Sequence, residues 1–420
     1  MLKRILIAAT ILGLFGTMTN LVYISPLPTL IAALLLPLVY VNKQYVPRPV
    51  FWLLLFTIFT VISTLLYHPE SFLQFGFYRY DGNFFISYLP LLVLPFFSFN
   101  LDIKRILKYF LLFSTAVNII VYIPYLFRPD LAFFGLFLST NGAGGFFSLV
   151  TSLAFLFFLE RRTYTNLLLL VINVLFLYST YSRGSMLGLG LGIMCLLFFR
   201  MRKSYLISLL FVSMTVVQGL ILFNTYPDYK KHIQNGPGNS IYENYDIFAN
   251  QKFGSVSTKL NNVYIRIYET WPRAVDSFLH SPFVGTGFGS LNDVPFVYKD
   301  VIPFIVTTNK QEDKVYNDSH AHHSFLHFLG EQGIIGLLLF LTFWMSVYRY
   351  LQNNNYHPVT RDFLLISFFN LSIMSFTEHR ITTPSNALPF VIVLGLYFVY
   401  VNYQKRQEAM IPAGDVQDPL

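Results

Sequence analysis

Long apolar runs alternate with short polar connections along most of the 420-residue chain. A helix crosses a bilayer with roughly 17 to 25 mainly apolar residues, and twelve runs reach or approach that length. They lie at about residues 5–24, 27–41, 50–67, 84–99, 106–126, 143–159, 166–182, 184–200, 204–224, 324–350, 361–377 and 386–403. The pattern predicts an all-α polytopic membrane protein with about 12 transmembrane helices.

One connection, residues 225–323, is far longer than the others and separates the ninth run from the tenth. Part of it predicts a helix, because apolar residues recur at helical spacing before the Pro/Gly-rich stretch "SPFVGTGFG". We therefore expect four parts in the chain. These are transmembrane helices 1–9 in residues 1–224, a large helical loop subdomain in 225–323, helices 10–12 in 324–403, and a cytoplasmic tail in 404–420.

Positive charge predicts the orientation, because Lys and Arg near helix ends are retained on the cytoplasmic side. With a cytoplasmic N-terminus, the inner segments hold sixteen Lys and Arg residues. The short outer connections hold four, namely Arg79, Arg128, Arg183 and Arg380. The long loop then lies on the outer side. Since this alternation explains much of the net charge of +8, the charge gives no argument for binding nucleic acid.

Three arginines are candidates for binding an anion on the outer side. Arg183 lies between two apolar runs in "TYSRGSMLGLGLG", beside Ser182 and Gly184. An arginine at that depth is costly and points to function, although a snorkelling interfacial arginine is the alternative. Arg266 and, more weakly, Arg273 lie on the predicted loop helix, where a solvated surface role is the alternative. Because guanidinium groups bind phosphate oxygens in pairs, two such residues facing one pocket form a diphosphate clamp.

Four histidines fall within eight positions of "SHAHHSFLHFLGEQGIIG", where the long loop meets an apolar helix. One interpretation is metal binding, because His323, His327 and Glu331 recur every four residues. A second is a set of interfacial polar residues without chemistry, His320 included. The third is a general base, since a neutral imidazole accepts a proton near neutral pH. His322 and Gly333 are eleven residues apart and are predicted to share a helix face, where the glycine admits a neighbouring helix.

Several further polar residues are candidates for substrate binding, and each also has a simple structural interpretation. Asn141 fits either a lipid site or a helix cap, and Arg79 and Asp81 either contact a glycan or pair with each other. Three consecutive polar residues in the last outer connection, Glu378, His379 and Arg380, stand out but receive no role from sequence.

Taken in order, these segments resemble the bacterial O-antigen ligase and O-antigen polymerase family. "HAHHSFLHFLGEQGIIG" is similar to the family's histidine signature, with His322 first and Gly333 and Gly336 as the glycine pair. In that signature His323 stands where Asn, Ser or Gln is usual. "YSRGSMLGLGLG" resembles the Ser-Arg-Gly segment, "RIYETWPRAVDSFLHSPFVGTGFG" the Arg-to-Trp helix, and "STNGAGGFF" the Asn-containing helix start. The resemblance covers the second half well and the first half mainly through topology.

This resemblance implies a GT-C-type glycosyltransferase in the bacterial inner membrane with its site facing the periplasm. Such an enzyme moves a glycan from undecaprenyl diphosphate to an acceptor hydroxyl, without a cofactor, a nucleotide sugar or a metal, and inverts the anomeric centre. His322 is then the catalytic base, and Arg183 and Arg266 bind the diphosphate. The expected supporting residues are His323, His320, Arg273, Asn141, Ser182 and Gly333.

Three functions remain open at this point. The first is an O-antigen ligase, whose acceptor is lipid A-core, and the second is a polymerase of the same family, whose acceptor is another lipid-linked glycan. The third is a transporter or flippase for lipid-linked glycans. Because transporters usually place polar residues near the bilayer midplane, the gathering of polar residues at one face favours the two enzymes. The expected partners are the lipid-linked donor, one of these acceptors and membrane lipids.

Overall fold

A computed structural model describes residues 2–19, 25–34, 46–79, 81–128, 131–234, 266–292 and 321–410. Its described elements are helical throughout. The α-helices are α1 (Leu2–Gly16), α2 (Leu27–Leu34), α3 (Arg48–Tyr67), α4 (Phe75–Arg79), α5 (Asn83–Ser87), α6 (Leu89–Val93), α7 (Ile103–Tyr122), α8 (Thr140–Glu160), α9 (Tyr164–Ser179), α10 (Arg183–Arg200), α11 (Ser204–Gln234), α12 (Trp271–His280), α13 (Ser324–Asn353), α14 (Pro358–Met374) and α15 (Pro384–Met410).

The helices confirm the predicted all-α polytopic architecture. Seven of the described helical segments are long and apolar enough to cross a membrane, and the shorter apolar helices α1 and α9 accompany them. The run at 84–99 differs from a single span, because it forms α5, α6 and a 3-10 turn at Leu94–Phe96. Pro90 and Pro95 lie at the starts of those pieces, and proline removes the backbone donor that a continuous helix needs.

Helices α8 and α15 form the centre of the bundle, whereas α11 exposes most of its surface. Glycines at the start of α8 allow other elements to approach closely. A Cβ on Gly145 would fall 1.2 Å from Oδ1 of Asn386, and one on Gly144 would fall 2.3 Å from Cβ of Ser182. The beginnings of α8, α10 and α15 therefore meet at one end of the bundle, which we call the site end.

Part of the predicted loop subdomain docks against this end. Helix α12 follows a π-helical turn at Arg266–Thr270, as the apolar spacing predicts. Helix α11 continues beyond its predicted end at 224, and there Lys230 and Tyr226 contact Oδ1 of Asp276 on α12 at 2.6 and 2.9 Å. The rest of the loop lies outside the described residues.

Gly333 interrupts α13, and the segment after α12 packs against the interruption. It has φ 60° and ψ −168°, which is not helical and is a conformation for which glycine is suited. The peptide N–H groups of Ile334 and Ile335 then donate to the carbonyl oxygens of Pro282 and Phe283 at 2.9 and 3.2 Å. The predicted continuous helix face from His322 to Gly333 is therefore wrong, and the close neighbour of Gly333 is a loop instead of a helix.

Candidate functional site

The candidate site is built around the short connection between α14 and α15, residues 375–383, which we call the 375–383 connection. Its three consecutive polar residues, Glu378, His379 and Arg380, are all buried. Ser324, the first residue of α13, fixes the connection, because its hydroxyl accepts the Arg380 N–H at 2.9 Å and its own N–H donates to the Ser375 carbonyl at 2.9 Å. The start of α13 thus holds the connection beside His322.

Glu378 gathers side chains from three distant parts of the chain. Its Oε1 forms an ion pair with the Arg266 guanidinium and accepts from Nδ2 of Asn141 at 3.3 Å. Its Oε2 lies 3.3 Å from Nδ1 of His322. Arg266 also donates through Nη1 to the Thr377 carbonyl at 2.8 Å. The predicted base and one predicted clamp arginine therefore meet on the same carboxylate.

The charges around Glu378 keep it ionised. Burial on its own would raise the pKa of this carboxyl group, but Arg266, His322 and Arg380 hold the pKa well below its usual range. Arg380 is itself buried, and burial lowers its pKa although Glu378 opposes that effect. Within the described part of the chain, Nε of Arg266 and Nε and Nη2 of Arg380 are buried donors without a hydrogen-bond partner. These nitrogens give the site unused capacity for an anion.

The two adjacent histidines have different environments. His323 caps α13, since its Nδ1 accepts the Leu326 N–H at 3.2 Å, and its Nε2 lies 2.7 Å from Oε1 of Gln218. Burial lowers the pKa of His323 to about 3. Because both of its ring nitrogens already have hydrogen-bond partners, His323 has a structural role. His322 has a left-handed backbone with φ 49°, and its side chain is 27% exposed, so it remains accessible to a substrate.

Arg183 lies at the first turn of α10 with an exposed side chain. Within the described residues, Arg183 forms no ion pair. A Cβ on the next residue, Gly184, would fall 3.2 Å from Oγ1 of Thr377, the residue whose carbonyl binds Arg266. The start of α10 therefore borders the 375–383 connection. Ser182 is buried and shares a 2.8 Å hydrogen bond with Ser185, so it supports the position of α10.

The remaining predicted residues have mixed outcomes. Asn141 does not cap α8, because Ser139 accepts the Gly142 N–H at 3.1 Å, and Asn141 reaches Glu378 instead. Arg273 is buried on α12, and its Nε and Nη2 have no hydrogen-bond partner within the described residues. His320 and the side chain of Arg79 lie outside the described set.

A second polar cluster lies beneath the first and consists of Asp81, His327, Glu331 and His379. Oδ1 of Asp81 lies 3.0 Å from Nε2 of both His327 and His379, and Nε2 of His327 lies 3.1 Å from Oε2 of Glu331. Glu331 also accepts two backbone N–H groups, from Gly289 and Leu291, at 2.9 Å each. The cluster thus connects α13, the segment after α12, the 375–383 connection and the turn before α5.

Asp81, His327 and His379 have ligand atoms close enough together to hold a metal ion. The trio of the metal-binding interpretation, His323, His327 and Glu331, does not converge, because His323 is turned toward Gln218. Nε2 of His327 faces Oδ1 of Asp81 and Oε2 of Glu331, and since an ionised carboxylate only accepts hydrogen bonds, this nitrogen carries a proton. An Nε2–H that donates to carboxylates cannot also bind a metal. A hydrogen-bonded network therefore fits the second cluster better than a metal centre does.

Sequence reasoning missed the central role of Glu378. The available signal was a run of three polar residues in a short connection between two apolar helices. Chemically, Glu378 can hold the Nδ1–H tautomer of His322 and leave Nε2 as the basic nitrogen, as the carboxylate does in a histidine–carboxylate dyad. The arrangement can accept a proton from a hydroxyl beside a group of cations that favours an anionic ligand.

Comparison with known proteins supports one family. A family model described as O-antigen ligase matches residues 167–341. No curated protein matches the chain. The matched residues include Arg183, Arg266 and His322 and end before Glu378. Residues 167–341 of this multi-pass membrane protein are thus similar to the O-antigen ligase family, which its histidine and arginine motifs also resemble.

Proposed function

We propose that this protein is an O-antigen ligase of the bacterial inner membrane. In this proposal it transfers a glycan from undecaprenyl diphosphate to a hydroxyl of lipid A-core at the periplasmic face. The family match supports the reaction class, and the scarcity of Lys and Arg in the short outer connections supports the orientation. The meeting of His322 and Arg266 on the Glu378 carboxylate is the observation that carries the proposal.

His322 acts as the general base in this scheme. The acceptor hydroxyl passes its proton to Nε2 of His322 while its oxygen forms a bond to the anomeric carbon. The bond from that carbon to the diphosphate oxygen breaks, and the diphosphate leaves with the electron pair. Glu378 accepts the Nδ1–H and stabilises the imidazolium that forms. A single displacement of this kind inverts the anomeric configuration.

Guanidinium groups stabilise the departing diphosphate. Arg266 lies beside the base, and Arg183 lies at the border of the same connection with its side chain exposed. Arg380, whose Nε and Nη2 lack acceptors within the described residues, adds a buried positive charge in the same connection. A preorganised donor to developing negative charge contributes about 3 to 4 kcal/mol in some enzymes. Permanent cations placed in this way suit a diphosphate leaving group, so the scheme assigns no step to a metal or cofactor.

The test is glycan transfer by the purified full-length protein in proteoliposomes with a lipid-linked donor and lipid A-core. We expect His322→Ala to abolish transfer while the protein still melts cooperatively and binds the carrier lipid. His280→Ala removes an exposed histidine from the end of α12 and is the matched control. Near-normal turnover by His322→Ala would rule out the base assignment.

The same assay separates the ligase from the polymerase, because the two differ in acceptor. Lipid A-core and a second carrier-linked glycan are offered separately to the wild-type protein. Transfer to lipid A-core alone supports the ligase. Extension of the carrier-linked glycan alone would show that the protein is the family's polymerase, with the same base and cations.

A further inference from the structure

A large groove lies at the opposite end of the bundle from the candidate site. It has a volume of about 1000 Å³ and lies among α3, α13 and α15. His322 lies two residues before the start of α13, and Arg349 in the groove lies near the other end of that helix. Beyond the interruption at Gly333, the fifteen positions from Ile334 to Arg349 alone span roughly 23 Å at about 1.5 Å of rise per residue. The groove and the candidate site therefore face opposite sides of a membrane.

One wall of the groove is an apolar stripe on α13 that ends in a cation. Leu338, Leu341 and Met345 line the groove and are followed one turn later by Arg349. The three apolar side chains are 55%, 38% and 50% exposed, so they offer a lipid-facing surface. The eleven positions from Leu338 to Arg349 span roughly 16 Å. That length is close to half of the roughly 30 Å hydrocarbon core of a bilayer, which is the depth that one acyl chain occupies.

The polar end of the groove is positively charged. Arg48, Arg349 and Lys405 line it, and no acidic residue is among its lining residues in the described part of the chain. None of the three cations forms a salt bridge within the described residues, whereas nearby Arg361 is paired with Asp362 at 3.1 Å. The groove therefore combines apolar length with a mouth lined by three cations, and the nearby Glu408 carboxylate is engaged by the lining hydroxyl of Tyr356 at 2.8 Å.

A buried polar atom also points to a ligand here. The hydroxyl of Tyr350, another lining residue, is buried and has no hydrogen-bond partner in the ranges that the structure describes. A buried hydroxyl without a partner costs free energy, and a phosphate or glycerol oxygen would satisfy it. Basic pockets between transmembrane helices are suited to anionic lipid headgroups.

We propose that this groove binds one anionic glycerophospholipid from the leaflet opposite the candidate site. Its phosphate lies among Arg349, Lys405 and Arg48, and an acyl chain follows the stripe from Met345 to Leu338. The bound lipid bridges α3, α13 and α15. This assignment does not depend on the reaction proposed above, since it uses none of the residues at the site end.

Native mass spectrometry of the delipidated full-length protein tests the proposal. Dioleoyl phosphatidylglycerol, dioleoyl phosphatidylcholine and soluble glycerol phosphate are titrated separately. We expect one saturable phosphatidylglycerol site and no comparable site for the other two. A cation near an anionic lipid surface strengthens binding about fivefold, so Arg349→Gln with Lys405→Gln should weaken phosphatidylglycerol binding about thirtyfold.

The matched control removes one Arg and one Lys from exposed positions elsewhere in the predicted inner segments, through Arg162→Gln and Lys203→Gln. Equal loss of binding in the control pair would overturn the proposal, because it would indicate general surface charge. Equal binding of phosphatidylcholine would overturn the headgroup assignment. Equal binding of glycerol phosphate would mean that a soluble anion, without an acyl chain, is the ligand.

A measurement on the wild-type protein covers the case in which the double variant fails to fold. Trp52 lines the groove, so brominated acyl chains seated there should quench its fluorescence. We expect brominated phosphatidylglycerol to quench more than brominated phosphatidylcholine at the same mole fraction, and Trp52→Phe to remove the excess. Identical quenching by the two lipids would contradict a specific site.

Discussion

Replacing Glu378 with glutamine gives the sharpest test of the site, because it preserves shape and removes charge. The carboxylate accepts from Arg266, from Asn141 at 3.3 Å and lies 3.3 Å from Nδ1 of His322. An amide has one acceptor oxygen and one donor NH2 group. Whichever of Arg266 and His322 faces the NH2 group loses its acceptor, and the buried Arg380 loses a nearby negative charge.

The expected losses differ for stability and for turnover. Breaking a buried ion pair from one side costs about 3 to 5 kcal/mol, and we expect the lower end because the Arg266 side chain is 15% exposed. We expect turnover to fall about a hundredfold to a thousandfold. This is less than the roughly ten-thousandfold loss in serine proteases whose histidine loses its carboxylate. The 3.3 Å contact of His322 is longer than a strong charge-assisted hydrogen bond.

The assay measures glycan transfer in proteoliposomes together with the melting temperature of the same preparation. Glu70→Gln is the matched control, since the Glu70 side chain is 67% exposed and its contact with Nδ1 of His68 is long, at 3.6 Å. Glu378→Asp keeps the charge and should retain more activity than Glu378→Gln. Wild-type turnover in a folded Glu378→Gln protein would refute the role of this carboxylate in holding His322.

Three further outcomes follow from particular contacts. Gly333→Ala should lower both the melting temperature and the rate of glycan transfer, because a Cβ there falls 2.5 Å from the Phe283 carbonyl. Gly190→Ala is the control, since a Cβ at Gly190 meets no atom within 4 Å. Equal melting temperatures for the two variants would contradict the role of the kink. Arg183→Lys should reduce glycan transfer at least tenfold with little change in melting temperature, since a lysine cannot bind a phosphate through two parallel hydrogen bonds. Full activity of this variant would mean that Arg183 only anchors the protein at the membrane interface. Burial lowers the pKa of His379 to about 4, so the unfolded chain takes up a proton first as pH falls below about 6.5. The stability that the neutral His379 contributes should therefore be full above that pH and should be lost between about pH 6.5 and 4, and a His379→Gln protein with an unchanged slope of melting temperature against pH in that range would contradict this assignment.

Much of the fold could be predicted from local patterns, because a membrane span is encoded in consecutive residues. The apolar run at 143–159 and the observed α8 agree closely, and the helical spacing of apolar residues before "SPFVGTGFG" correctly predicts α12. The run at 84–99 misleads because hydropathy does not register that Pro90 and Pro95 interrupt the backbone hydrogen bonds. Asn141 misleads in a similar way, since Ser139 is an equally good cap two residues earlier.

The candidate site was less predictable, because its geometry depends on residues far apart along the chain. His322 and Arg266 stand out through their residue types and motifs. Glu378 gains its meaning only from three partners that lie at least 56 residues away in sequence. Gly333 could be recognised as a site of close approach, but the direction of that approach depends on the left-handed backbone that a sequence does not display.

The adjacency of Glu378 and His379 explains why two polar clusters lie so close together. Neighbouring residues in the 375–383 connection reach different partners, Glu378 toward His322 and His379 toward Asp81. Asp81 also contacts His327 on α13, the helix that His322 precedes. The buried cluster thus ties the element carrying the carboxylate to the element carrying the imidazole. Since a base is effective only when held within hydrogen-bonding reach of its partners, the second cluster accounts for the placement of the first without taking part in proton transfer.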